Sequence, residues 1–147
     1  MDTIYDVLSK EHVQVLYLFK ETMSNDSKEN FFKIKKELDP HLEGEEKVFY
    51  PVLKEKEEVR EVTLEGIQEH HIAKVLLSEL ENMDQKDEMW HAKLKVLKEA
   101  IEHHVKEEED NMFEKAQKVL SQDKAEEIAQ KYLDFKKDFK EQKGSKP

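Results

Sequence analysis

Histidine and glutamate occur in this chain at a spacing that suits a metal site. His41 is followed by Glu45, and His104 is followed by Glu108, so the members of each pair are four residues apart. Residues at positions i and i+4 share one face of an α-helix, with a rise between them of about 6 Å. Each pair can therefore direct one imidazole and one carboxylate into the same part of a helical protein. Nitrogen and oxygen ligands of this kind favour iron, manganese or zinc over softer metals.

The two pairs belong to a loose internal repeat. Residues 41–46 match residues 104–109, and residues 10–13 match residues 68–71. The order is thus a single histidine and then a His-x-x-x-Glu pair, twice over, which predicts two helical hairpins about a pseudo-two-fold axis. One pair alone is usually a surface feature, but buried imidazoles and carboxylates need partners. A dinuclear metal site, with two bridging carboxylates and four imidazoles, would supply those partners.

Two of the histidines have a neighbour that competes for the same role. His70 shares a helix face with the apolar residues around it, whereas His71 lies about 100° further round the helix. We therefore favour His70. The repeat favours His104 over His103, because the apolar residues that follow are then aligned as well. His91 is expected to lie at the surface.

Other residues near these positions are assigned simpler roles. Glu46 and Glu109 lie one residue past the paired glutamates and are expected to face solvent or to support the ligands. Tyr50 either donates a hydrogen bond to the ligands or packs in the core, and packing is the interpretation that we favour. Ferritin-like proteins use Glu-x-x-His pairs with three-residue spacing. The four-residue spacing in this chain makes iron storage and ferroxidase chemistry less favoured interpretations.

Composition limits the classes to which the protein can belong. The formal net charge of −10 disfavours nucleic acid and anionic membrane surfaces as partners. The sequence has no cysteine, which excludes thiolate metal sites and iron–sulfur ligation. No apolar run approaches the length that crosses a membrane. Because the first residues show no basic segment followed by an apolar one, we expect a soluble cytoplasmic protein.

Helices are the elements that must position the candidate ligands. The sequence has only three glycines and three prolines, and its apolar residues recur at helical spacing. This pattern predicts five helices, over about residues 3–23, 29–56, 59–83, 88–119 and 122–140. Pro40 lies inside the second helix, so a bend is expected beside His41.

Long helices with short connections predict an all-α fold. We expect an up-down-up-down antiparallel four-helix bundle with a shorter C-terminal fifth helix. The bundle is assigned to residues 1–120, a helix packed on it to residues 121–141, and a disordered tail to residues 142–147. No chemistry is assigned to the chain after residue 120.

With these residues in view, the chain resembles the hemerythrin-like (HHE cation-binding) family over about residues 4–120. The resemblance rests on His12, on residues 41–46 with Tyr50-Pro51, on Glu69-His70, and on residues 104–109 with Phe113. It implies a four-helix bundle that holds two iron ions in an oxo- or hydroxo-bridged centre, with the two glutamates of the His-x-x-x-Glu pairs as bridges. The residues to which it assigns ligand roles are His12, His41, Glu45, His70, His104 and Glu108.

The chain departs from the oxygen-carrying members of that family at one position. Those members have a fifth histidine four residues after the first one of the third helix, and here that position is Lys74. The resemblance then implies a site with one or more positions left to water. Such a site is more similar to those of di-iron proteins associated with nitric-oxide stress and iron–sulfur repair, and of iron-sensing members, than to that of an oxygen carrier.

These expectations define a leading function and its alternatives. We expect a di-iron protein that binds or senses oxygen, nitric oxide or peroxide at an open iron position, or holds iron itself. The alternatives are a di-iron enzyme with peroxidase or nitric-oxide/iron–sulfur stress-repair activity, and a structural or regulatory metal-binding module. No flavin, nicotinamide or haem motif occurs, so a redox partner would be external. The protein is expected to be a monomer or a homodimer.

Overall fold

The regular elements of the protein are helices throughout residues 1–144, the part of the chain that the computed structural model describes. The α-helices are α1 (Ile4–Ser24), α2 (Lys28–Gly44), α3 (Tyr50–Lys54), α4 (Glu57–Asn82), α5 (Glu88–Glu107), α6 (Phe113–Val119) and α7 (Gln122–Gly144). Two π-helical segments, Glu45–Phe49 and Glu108–Met112, join α2 to α3 and α5 to α6. The described residues therefore form five helical rods: α1, α2 with α3, α4, α5 with α6, and α7. The predicted all-α bundle is confirmed.

The packing of the rods follows the order of the predicted hairpins. Helix α1 packs on α2, and α4 packs on α5, so that each hairpin is a unit. Contacts of α1 with α5 and of α2 with α4 join the two hairpins. Helix α7 lies against α1 and α2, on the first hairpin. No helix in the described part combines the length and apolar character needed to cross a membrane.

Local side-chain bonds fix where the site-bearing helices begin. The Thr3 hydroxyl accepts a hydrogen bond from the backbone N–H of Asp6, and the backbone N–H of Thr3 donates to the Asp6 carboxylate, which forms a capping box at the start of α1. Ser27 caps α2 and Asp87 caps α5 in the same way, each by accepting a backbone N–H. These caps set the helical phase that brings His12, His41 and His104 to the inside of the bundle.

The core consists of two apolar clusters with a polar layer between them. We use polar layer for the six buried residues His12, His41, Glu45, His70, His104 and Glu108. One cluster contains Leu8 and Val62, and the other contains Val15 and Ala73. On α1, His12 lies between Leu8 and Val15; on α4, the polar layer again falls between the two clusters. Apolar side chains therefore close the polar layer at both ends and keep water away from it.

Two expectations about the helices concern Pro40 in α2 and the C-terminal end of α7. Pro40 lies inside α2, which continues past it to Gly44, and the departure from α-helical geometry comes at Glu45–Phe49. The bend beside His41 stays a prediction. Helix α7 extends to Gly144, three residues past the expected end of the last helix at residue 141. The disordered tail stays a prediction. Residues 145–147 lie outside the described residues.

The approach of α7 to α2 depends on Gly44. A Cβ atom at Gly44 would lie 2.4 Å from Cε1 of Tyr132, whose ring is fully buried. We expect Gly44→Ala to lower the free energy of unfolding by about 1–2 kcal/mol, because overpacking outweighs the gain in helix propensity. Urea unfolding of the two proteins measures this difference.

Gly66→Ala is the matched control for that substitution. A Cβ atom at Gly66 would lie 2.9 Å from Cε of Met112, the end of a flexible side chain that can move aside. This variant should stay within about 1 kcal/mol of the parent protein. Equal destabilisation by both alanines would contradict a close and specific contact between α2 and α7.

Candidate metal centre

The six residues expected to form the site meet at the middle of the bundle. Each of them is at most 3% exposed, and the two glutamates are fully buried. They form two groups, within each of which the nitrogen and oxygen atoms lie within 4.8 Å of one another. Glu45 and Glu108 belong to both groups; His12 and His41 complete the first, and His70 and His104 complete the second.

The ring nitrogens face the shared carboxylates. The Nε2 atom of His41 lies 3.3 Å from Oε1 of Glu45, and that of His70 lies 3.1 Å from the same oxygen. The Nε2 atom of His12 lies 3.1 Å from Oε1 of Glu108, and that of His104 lies 3.3 Å from Oε2 of Glu108. Four imidazoles from four rods thus surround two carboxylates.

Several of these atoms have no hydrogen-bond partner among the described residues. They are Nε2 of His12, both carboxylate oxygens of Glu45, and Oε1 of Glu108, all inaccessible to solvent. A buried polar atom without a partner costs the bundle about 1–3 kcal/mol, and more when the group is charged. Cations held between the imidazoles and the carboxylates would satisfy all of them, so the residues present fit a metal centre.

Four further glutamates hold the histidines from behind. Each accepts a hydrogen bond from the Nδ1 atom of one ring: Glu109 from His12 at 2.6 Å, Glu11 from His41 at 2.8 Å, Glu46 from His70 at 2.6 Å, and Glu69 from His104 at 2.6 Å. In every pair the glutamate and the histidine come from neighbouring rods, so the four bonds form a closed circuit around the bundle. A carboxylate on Nδ1 leaves Nε2 free to bind a metal, as second partners of metal-binding histidines generally do.

The charges of the carboxylates dominate the electrostatics of the layer. Burial lowers the pKa of His41, but the charge of the neighbouring Glu45 and the hydrogen bond to Glu11 raise it to about 10. Burial raises the pKa of Glu45, yet the charge of His41 holds it well below its usual range. The pKa of His104 is likewise raised well above the usual value by Glu108, against the effect of burial. In the polar layer, the pKa values of His41 and His104 are thus raised and that of Glu45 is lowered, because the imidazoles and carboxylates lie close together.

The roles of Glu46, Glu109 and Lys74 follow from these contacts. The sequence left open whether Glu46 and Glu109 face solvent or support the ligands, and the structure bonds them to His70 and His12. Lys74, at the position of the fifth histidine, lies 2.9 Å from Oε2 of Glu46. It thus contacts the carboxylate behind His70 and has its ammonium outside the ligand cluster.

The histidines that were expected outside the site do lie outside it. His71 is exposed, and His91 is exposed and bonded to Asp26 at 2.7 Å. The His103 side chain is 64% exposed, with Nε2 at 3.3 Å from the Glu69 carboxylate. The structure thus brings His70 and His104 into the buried cluster, whereas His71 and His103 lie outside it. The role of His70 and His104 as ligands stays a prediction.

Tyr50 packs in the core, as expected, and its hydroxyl also reaches the candidate centre. Its hydroxyl donates to Glu108 and lies 3.3 Å from Nε2 of His70 and 3.4 Å from Nε2 of His104. The cause is the π-helical segment, in which the backbone N–H of Tyr50 bonds to the carbonyl of Glu45, five residues back. In an α-helix the two side chains would lie about 140° apart. π-helical segments often occur at functional sites, and this one begins at the candidate ligand Glu45 and ends directly before Tyr50.

The sequence assigned no chemistry to the chain after residue 120, but a helix in that part of the chain contacts the candidate centre. Two side chains of α7, those of Tyr132 and Lys136, donate to the carboxylate of Glu11, which holds His41. Heptad-like apolar spacing gave no sign of this contact, because it depends on how α7 crosses α1 and α2. A helix outside the four-helix bundle thus reaches the candidate centre.

A small apolar cavity adjoins the ligand cluster. It is lined by Val15, Leu38, Leu42, Ile101 and Val105 together with three of the histidine rings. The space open to the centre of a water-sized sphere is about 10 Å³, enough for one molecule of that size. The cavity offers the centre an apolar side and leaves no room for a bulky substrate.

Comparison with known proteins places this geometry in a family. No curated protein matches the sequence. A crystal structure of a hemerythrin HHE cation-binding domain-containing protein from Mycobacterium kansasii superposes with a TM-score of 0.83 at 24% identity, covering 97% of this chain and 90% of that one. At that identity the likeness shows the fold. The model of the hemerythrin HHE cation-binding domain matches residues 3–116, most of the sequence and all six candidate ligands. The chain therefore belongs to the hemerythrin HHE cation-binding domain family.

Proposed function

We propose that the protein holds two iron ions in the polar layer and binds a small ligand, namely oxygen, nitric oxide or peroxide, at an open iron position. The observation that carries the proposal is the set of buried, unpartnered atoms on His12, Glu45 and Glu108. Four histidine nitrogens converge on the same carboxylates from separate rods. Cations between the nitrogens and the carboxylate oxygens would give all these atoms partners.

Each residue has a distinct role in this proposal. His12 and His41 bind one ion, and His70 and His104 bind the other. Glu45 and Glu108 bridge the two ions, since each belongs to both groups of candidate ligands. Nitrogen and oxygen donors suit iron, manganese and zinc alike. The choice of iron rests on the family resemblance, and bound iron would supply the affinity for diatomic ligands and peroxide.

The surroundings of the layer favour a small ligand over a larger substrate. Each ion would have two imidazole nitrogens and one oxygen from each bridging glutamate, which leaves coordination positions open. The adjoining cavity is apolar and has room for one molecule about the size of water. The Tyr50 hydroxyl, beside Nε2 of His70 and His104, can donate a hydrogen bond within the layer. These features favour a diatomic molecule or peroxide.

The assignment of ligands predicts a graded loss of metal. The parent protein should contain two iron ions per chain, His70→Ala should lose one of them, and Glu45→Ala should lose both because a bridge serves both ions. Metal analysis of proteins purified without chelator, together with their visible spectra, measures this.

His71→Ala is the matched control for the ligand variants. His71 is adjacent to the candidate ligand His70 and is exposed, so this variant should keep the metal content of the parent. Loss of iron from the control, or retention of both ions in Glu45→Ala, would contradict the assignment. Zinc in place of iron would support the metal site but would contradict the proposed binding of oxygen, nitric oxide or peroxide.

The apolar cavity predicts which substitution blocks the ligand. Val105 lines the cavity and is 9% exposed, and a phenylalanine there should fill the space and weaken nitric-oxide binding about tenfold or more, with the iron content unchanged. Spectral titration of the reduced protein with nitric oxide, oxygen and peroxide measures the affinity.

Val96→Phe provides the control on the same helix. Val96 is 51% exposed, so the larger side chain should leave ligand binding as it is in the parent protein. A parent protein whose spectrum is indifferent to all three ligands would refute the proposed binding function, even if it contained iron.

A further inference from the structure

Among the described residues, helix α7 donates hydrogen bonds to one outer carboxylate of the candidate centre, that of Glu11. The Tyr132 hydroxyl donates to Oε1 of Glu11 at 2.5 Å, and the Lys136 ammonium donates to Oε2 of the same carboxylate at 2.5 Å. Oε1 of Glu11 also accepts from Nδ1 of His41 at 2.8 Å. The Tyr132 ring is fully buried, and its hydroxyl lies 3.4 Å from Nδ1 of His41. Both oxygens of Glu11 are therefore engaged by donors from α7.

The other half of the bundle lacks the features that admit such a helix. Position 44 is glycine, and a Cβ atom there would lie 2.4 Å from the Tyr132 ring. The repeat matches Gly44 with Glu107, which carries a full side chain. The counterpart of Glu11 is Glu69, and its neighbour from outside the layer is the exposed His103 at 3.3 Å. The asymmetry between the halves thus begins in the sequence, at the position where α7 must approach.

We propose that α7 is a positioning element for one of the two metal positions, the one formed by His12 and His41, and that Tyr132 and Lys136 act on it through Glu11. The inference rests on the proposed metal centre. The family model ends at residue 116, so α7 lies outside the part of the chain that it matches. The two metal positions are then unequal, although their ligands are of the same types.

The physical basis is the orientation of the His41 ring. Glu11 keeps Nε2 of His41 directed at Glu45 by accepting the hydrogen bond from Nδ1. With the two donors of α7 removed, the Glu11 carboxylate, which is 15% exposed, is free to turn towards solvent. His70 and His104 are held by Glu46 and Glu69 and keep their orientation. Loss of the carboxylate behind a metal-binding histidine typically weakens metal affinity about 10–100-fold.

The first test is a metal titration of the full chain. Co²⁺ binding is followed by visible absorption in the parent protein, in Tyr132→Phe, in Lys136→Met and in the double variant. We expect one of the two binding steps to weaken about tenfold in the double variant, with the other step unchanged. Tyr132→Phe keeps the buried ring, so it serves as the test if the double variant fails to fold.

The second test identifies which position is affected. In the Zn²⁺-loaded protein with ¹⁵N-labelled histidine, nuclear magnetic resonance reports solvent exchange of each Nδ1–H. The α7 variants should speed exchange at His41 and leave His70 and His104 as they are. Lys74→Met is the matched variant on the other side, because Lys74 contacts Glu46, and it should affect His70 instead. Lys137→Met, an exposed lysine on α7, should change neither.

The outcomes separate this inference from the proposed function. Unchanged exchange at His41, or equally faster exchange at all the histidines, would overturn the role of α7; the second pattern would indicate general loosening of the bundle. A parent protein that takes up neither ion would contradict the metal centre itself, and the titration of the parent shows this before any variant is compared.

Discussion

The structure depends on the burial of two carboxylates and four imidazoles in one layer of a helical bundle. Glu45 and Glu108 are fully inaccessible to solvent, and both oxygens of Glu45 lack a hydrogen-bond partner among the described residues. Buried charge is tolerated only when it is paired or coordinates a metal. Apolar clusters above and below prevent water from relieving this cost. Cations between the glutamates would remove this cost, and the proposed metal centre rests on that argument.

The rods position the ligands by mutual support. Each rod contributes one carboxylate that bonds Nδ1 of a histidine on a neighbouring rod, and the four bonds close into a circuit. A shift of one rod would therefore disturb a histidine on another, which couples the geometry of the centre to the packing of the bundle. The two halves are not identical. Tyr50 stands where the repeat has Phe113, and among the described residues Glu11 is the outer glutamate that receives hydrogen bonds from α7.

Sequence was sufficient for the fold and for bringing the six inner residues together, because both follow from short-range periodicity. His41 and Glu45 are four residues apart, as are His104 and Glu108, and this spacing places each pair on one helix face whatever the packing of the helices. Tyr50 could not be assigned in this way, since the π-helical segment changes its phase by one residue. The contacts of Tyr132 and Lys136 were also beyond reach, because they join residues more than a hundred positions apart and depend on the crossing of α7. Local pattern predicts a face, whereas the partner across that face is set by tertiary packing.

Anomalous diffraction from crystals of the iron-loaded protein tests the central claim most directly. The account predicts two anomalous peaks per chain within about 4 Å of each other, the separation usual for carboxylate-bridged pairs. One should lie against Nε2 of His12 and His41 and the other against Nε2 of His70 and His104, with Glu45 and Glu108 between them. A single peak, or peaks away from this layer, would contradict the claim that the buried carboxylates are there to bridge two ions.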